Sequence, residues 1–171
     1  DNLAVGGTTP SYGVIQEAAE YVAESKTTLA VMICPRGGNF VYNSHELKII
    51  ETDTLKAVEA GAQNIVFGAL TTDNKIDSDA LETVSIAAQG LPITFHMAFD
   101  EITDQKEAID QLVEFGIDKI LMHGGPLDQP LDTDKIKSLI DYAQGKINII
   151  IGGGVNAENF EELAQLTGTN Y

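Results

Sequence analysis

Five runs along the chain are nearly continuous in apolar residues: TLAVMICP (28–35), NIVFGAL (64–70), PITFHMAF (92–99), KILMHGG (119–125) and INIIIGGG (147–154). Short apolar runs without strict alternation predict strands covered on both faces. Between them, apolar positions recur at helical spacing. Residues 104–115 open with Asp104 and Glu107 in capping-box positions and place Ala108, Ile109, Leu112, Val113 and Phe115 on one side. Asp77 and Asn156 predict N-caps for helices near 78–89 and 157–166. Helical stretches run into Gly61, Gly90, Gly116, Gly145 and Gly168, and glycine closes a helix in the left-handed conformation at little steric cost.

The later runs begin at 64, 92, 119 and 147, a repeat of about 28 residues. Strands and helices alternating at this period predict right-handed βαβ units and a parallel sheet. Two architectures accommodate that pattern. A doubly wound five-stranded sheet suits 171 residues, whereas a (β/α)8 barrel usually takes about 250 residues. The strand ends favour the barrel. Nearly every run finishes in polar or glycine-rich residues, as expected where all strand C-termini surround one mouth. A doubly wound sheet concentrates its ligand groups at one switch point, and no G-x-G-x-x-G opens a helix here. No linker divides the chain, so residues 1–171 read as a single domain.

Charge narrows the partners. With 26 acidic and 10 basic residues the formal charge is −16, which opposes nucleic-acid backbones and anionic membrane surfaces. No apolar run reaches the roughly 18 residues of a membrane span. Cys34, the lone cysteine, cannot form an internal disulfide and fits a reducing cytosol. The chain starts at Asp1 rather than Met, from which we expect its natural beginning to lie upstream.

Candidate chemistry gathers at the run ends. Alternation puts Thr94, His96 and Ala98 on one face, with His96 placed for acid–base work or metal ligation and Asp100 placed to act with it. Met32, Cys34 and Arg36 share another face. The Arg36 fork beside Gly37 and Gly38 suits a carboxylate or phosphate, giving a catalytic set of Arg36, His96 and Asp100 for an enzyme acting on a small anion. Gly124 and Gly125, then Gly152, Gly153 and Gly154, close successive strands and are candidate anion sites. Cys34, His96 and His123 form the candidate metal set, with copper the metal that soft donors suit. By the same alternation Met97 falls opposite His96 and Met122 opposite His123, so these methionines are expected to fill gaps beneath the helices.

Taken together, DNLAVGGTTPSYG (1–13), VMICPRGGNFVY (31–42), IVFGALTTDNKID (65–77), LPITFHMAFDE (91–101), KILMHGG (119–125) and GGGVNAEN (152–159) resemble the CutC family, named for copper homeostasis. The resemblance implies a (β/α)8 barrel in which the five runs are strands three to seven, without the first two strands and the last. Residues 1–10 would then follow strand two, and residues 168–171 would approach strand eight. It further implies copper handling, with cysteine as a ligand, and a homodimer.

Overall fold

The computed structural model describes residues 1–169. Five strands are present: β1 (Ala30–Met32), β2 (Asn64–Phe67), β3 (Ile93–Phe95), β4 (Lys119–Met122) and β5 (Asn148–Ile151). All neighbours pair in parallel, in the order β1-β2-β3-β4-β5. Strand order that follows chain order belongs to a barrel wall. A doubly wound sheet reverses direction at a switch point, and none occurs here. Among the described residues β1 and β5 are unpaired on their outer edges, so the wall is an open arc.

Helices alternate with the strands: α1 (Tyr12–Val22), α2 (Ser44–Glu59), α3 (Ser78–Ala87), α4 (Gln105–Glu114), α5 (Thr133–Ala143) and α6 (Phe160–Thr167). Their starts are built from side-chain caps. Asp77 accepts the Ala80 N–H and Asp104 accepts the Glu107 N–H, while Asn43 and Glu46 complete a reciprocal capping box. One expected start is corrected. Asn156 accepts the Glu158 and Asn159 N–H groups in a local turn, so α6 begins only at Phe160. Gly61, Gly90, Gly116, Gly145 and Gly168 all carry positive φ beyond helix ends, as expected. Successive helices pack as an outer layer, α1 on α2, α2 on α3, α4 on α5 and α5 on α6.

Burial separates the two faces of the sheet. On the helix side Val31, Ile65, Phe67, Ile93, Phe95, Ile120, Met122, Ile149 and Ile151 are buried. Each fully buried Phe or Ile stabilises by roughly 1.5–3 kcal/mol relative to exposure. On the other face Met32, Val66, Lys119, Leu121, Asn148 and Ile150 are only half-buried, although the Thr94 hydroxyl still meets the buried Asn64 amide at 3.2 Å. Coverage on both faces was therefore overstated: the inner face of an open arc has no strand opposite it. The approach to strand eight involves Asn170 and Tyr171, which lie outside the described residues.

Candidate functional site

A cavity of about 210 Å³ opens beyond the C-terminal ends of β1, β3 and β4. Its wall combines Met32, Cys34, Arg36, Gly37 and Gly38 from β1 and its loop with His96, Met97 and Leu121 from β3 and β4. Gly6, Gly7 and Phe40 complete the rim.

His96 borders this cavity. β3 ends at Phe95 because His96 turns the chain into a 3-10 segment, Met97–Glu101, by capping it: Nδ1 accepts the Ala98 N–H at 3.1 Å. That bond uses the Nδ1 lone pair, so the neutral ring carries its proton on Nε2. Burial lowers the His96 pKa from its ordinary 6.5 to about 4, partly offset by backbone hydrogen bonding, and the ring is neutral at pH 7. Its Nε2 is the one buried side-chain nitrogen or oxygen among the described residues without a hydrogen-bond partner. The backbone of Gly68 lies flush against the ring, since a Cβ there would come within 2.6 Å of Nδ1 and 2.7 Å of Cε1.

The 3-10 turn also changes where Met97 goes. Strand alternation would send it away from His96, but the turn brings it into the same cavity. Its methyl group occupies space left by Gly152, where a Cβ would approach to 2.7 Å. Met122 is fully buried on the helix side, as expected, whereas Met32 and Met97 line the cavity rather than filling gaps under helices. The buried Cys34 Sγ–H donates to the Arg36 carbonyl at 3.0 Å and lies 3.7 Å from the Tyr42 hydroxyl. Thr9 fixes the Cys34 backbone from both sides, its Oγ1 accepting the Cys34 N–H and its own N–H reaching the Cys34 carbonyl.

Arg36 borders the cavity, but its guanidinium is committed within its own loop. Nε and Nη2 pair with the Glu46 carboxylate, while Nη1 and Nη2 donate to the Asn39 and Val41 carbonyls at 2.6 and 2.9 Å. Bonding to Arg36 holds the Glu46 carboxyl below the usual range. The free anion fork expected at Arg36 is thus an intramolecular ion pair.

Asp100 is not beside His96 in function. Its Oδ2 and Oδ1 accept the backbone N–H groups of His123 and Gly124, both at 2.8 Å. The glycine turn expected to cradle an external anion at Gly124 is filled by the protein's own carboxylate. Gly125 lies with Asp100 and Leu127 along a separate cleft. His123, buried, faces carbonyls on every side: Nδ1 lies 3.1 and 3.0 Å from Gly152 O and Gly153 O, and Nε2 lies 2.9 Å from Gln129 O. Carbonyls only accept, so both nitrogens are best satisfied as the imidazolium. Burial lowers the His123 pKa, but these carbonyls and the Asp100 charge outweigh it and raise the value. Gly152 and Gly153 therefore present acceptors to the His123 ring rather than donors to an anion, and Gly154 follows them with φ +87°. Asp100 and His123 clamp the loops after β3, β4 and β5 together.

Cys34 and His96 are brought to one cavity, while His123 is held in the clamp. Sequence reasoning missed Phe40, Met97 and Leu121 as cavity walls. For Met97, a readable signal was the capping histidine one position earlier, which ends the period of two.

Comparison with known proteins agrees with this frame. A family model described as CutC family matches residues 1–171. A CutC family protein of Streptococcus pyogenes serotype M6 is 56% identical over 173 residues, covering 99% of this chain and 83% of that protein. One from Enterococcus faecalis is 50% identical over 165 residues, covering 94% and 79%. The crystal structure of the Streptococcus agalactiae CutC protein, named for copper homeostasis, superposes with a TM-score of 0.96 at 54% identity, covering 99% of this chain and 82% of that one. QR15, an aldolase, matches at TM-score 0.69 and 16% identity over 91% of this chain and 71% of that one, a likeness of fold alone. The five-stranded arc is accordingly part of a (β/α)8 barrel. With the family model matching residues 1–171 and relatives up to 56% identical over nearly its whole length, this chain belongs to the CutC family.

Proposed function

We propose that the chain handles copper by binding Cu(I) at the barrel mouth, with the Cys34 thiolate as anchor and the thioethers of Met32 and Met97 beside it. The supporting observation is that these three sulfur-bearing side chains border one cavity. Thiolate and thioether are the donors that suit Cu(I). The histidines do not fit as ligands. The Nδ1 lone pair of His96 is taken by Ala98 and its Nε2 carries the proton, while both nitrogens of His123 face carbonyls. The candidate metal set of Cys34, His96 and His123 thus contracts to Cys34, with methionines replacing the imidazoles.

An acid–base enzyme built on Arg36, His96 and Asp100 is less well supported, because Arg36 and Asp100 are occupied internally. The proposal includes a reducing cytosolic setting, supported by the single cysteine, and a homodimer, supported by the family resemblance. Cell fractionation and sedimentation test these two parts. No helix among the described residues is long and apolar enough to cross a membrane.

Anaerobic competition against a calibrated Cu(I) chelator tests the site. One equivalent should bind, Cys34→Ser should abolish binding, and Met97→Leu should weaken it on the order of tenfold, about 1.4 kcal/mol. Tight binding that survives Cys34→Ser, or no binding by the parent chain, would overturn the proposal.

A further inference from the structure

The sulfur of Cys34 touches two groups of the loop that follows β1, and their roles differ. We propose that Tyr42 is a positioning residue for the mouth site: its hydroxyl donates to Cys34 Sγ and stabilises the thiolate that the sulfur must become to hold Cu(I). This rests on the copper reading and adds to it a residue that does not line the cavity.

Counting hydrogens assigns the donor. Cys34 Sγ lies 3.0 Å from the Arg36 carbonyl oxygen and 3.7 Å from the Tyr42 hydroxyl. A carbonyl only accepts, so the thiol proton goes to Arg36. Tyr42 is 7% exposed, and Cys34 Sγ is the sole hydrogen-bond partner of its hydroxyl among the described residues. Were the thiol to turn its proton to Tyr42, the phenol proton would have no acceptor. With the phenol donating to sulfur, both hydrogens are satisfied, as buried polar groups generally are.

The two contacts respond oppositely to metal. In taking Cu(I), the Cys34 sulfur gives its proton to solvent and forms the sulfur–copper bond as a thiolate. The bond to the Arg36 carbonyl is lost with that proton, leaving oxygen facing an anion. The bond from Tyr42 becomes charge-assisted and strengthens. No other hydrogen bond reaches Sγ among the described residues, so without Tyr42 the thiolate would lie in a buried site with no donor.

The surroundings hold the phenol in place. Phe67 stacks on its ring at 6.4 Å and 25°, and the Arg36 guanidinium lies 5.1 Å from the ring centroid. Arg36 is tied in turn to Glu46 and to the carbonyls of Asn39 and Val41. The ion pair that withdraws Arg36 from external anions therefore shapes the loop that seats Tyr42 on the sulfur.

Tyr42→Phe keeps the ring and removes the hydroxyl. Because Cys34 is the lone cysteine, the metal-free full chain gives one Raman S–H stretching band. That band should shift in Tyr42→Phe, since the sulfur loses the hydrogen bond it accepts. Anaerobic competition against a calibrated Cu(I) chelator should show Tyr42→Phe binding roughly tenfold or more weakly than the parent, the loss expected when a group bonded to a metal ligand is removed. An unmoved S–H band, or an affinity within about twofold of the parent's, would overturn the role of Tyr42 and leave the copper reading standing. A parent chain that binds no Cu(I) would overturn the copper reading and this role with it. Should Tyr42→Phe fail to fold, the parent labelled with 13C at tyrosine Cζ decides the matter. The Tyr42 signal should move as one equivalent of Cu(I) is added, and a signal unmoved at saturation would overturn the proposal.

Discussion

Acidification should destabilise this protein through His96, by an amount the structure sets. The ring is buried and neutral, with its pKa lowered from 6.5 to about 4. In the unfolded chain the same imidazole keeps its ordinary value. Above pH 6.5 neither state binds the proton, so the full stability is present. As pH falls from 6.5 towards 4, the unfolded chain takes up a proton that the folded chain refuses, and stability is lost. At about pH 4.5 the unfolded ring is almost fully charged and the folded ring mostly neutral, which makes the loss about 2–3 kcal/mol. Other groups titrate over the same range, so the perturbation must be differential. Urea unfolding of the parent and of His96→Asn at about pH 7 and pH 4.5 supplies it. Asn cannot titrate, and among the described residues no hydrogen bond or ion pair links His96 to Asp100 or His123, so their contributions should cancel. The parent should lose about 2–3 kcal/mol more than the variant. Parallel losses, within about 0.5 kcal/mol, would refute a buried neutral His96.

Three further outcomes follow from the same geometry. Gly68→Ala places a methyl 2.6 Å from His96 Nδ1 and should cost about 1–3 kcal/mol while breaking the Ala98 bond, read from urea midpoints and the histidine 15N shifts. Asp100→Asn retains one acceptor for two N–H groups and faces the other with an amide donor, so a loss of about 1–3 kcal/mol is expected by thermal unfolding. His123 titrates in the opposite sense to His96. Its raised pKa adds stability that is fully present below pH 6.5 and is lost as pH rises through the raised value, so His123→Gln should flatten the fall in stability above about pH 6.5.

Much of the frame was legible in the residues. The five apolar runs became five parallel strands in chain order, and Asp77, Asp104 and the terminal glycines marked helix ends as their chemistry requires. Those signals are local, and a period of 28 residues leaves few topologies. The site was less legible because long-range pairing decides it. Arg36 looked like a free fork until Glu46, ten residues on, supplied its carboxylate. Asp100 looked like a partner for His96 until the N–H groups of His123 and Gly124 claimed both its oxygens. Nothing in the period of two could place Met97 beside His96, since a single capping bond ended the strand. The overestimated burial of the inner sheet face has a similar origin: composition reports how apolar a strand is, not what stands opposite it.

The mouth cavity as the seat of function is tested most directly by anomalous diffraction at the copper edge from crystals grown anaerobically with one equivalent of Cu(I). A single peak bordered by Cys34 Sγ, with Met32 and Met97 beside it, is the expected result. A peak at another surface, or none at saturation, would contradict it.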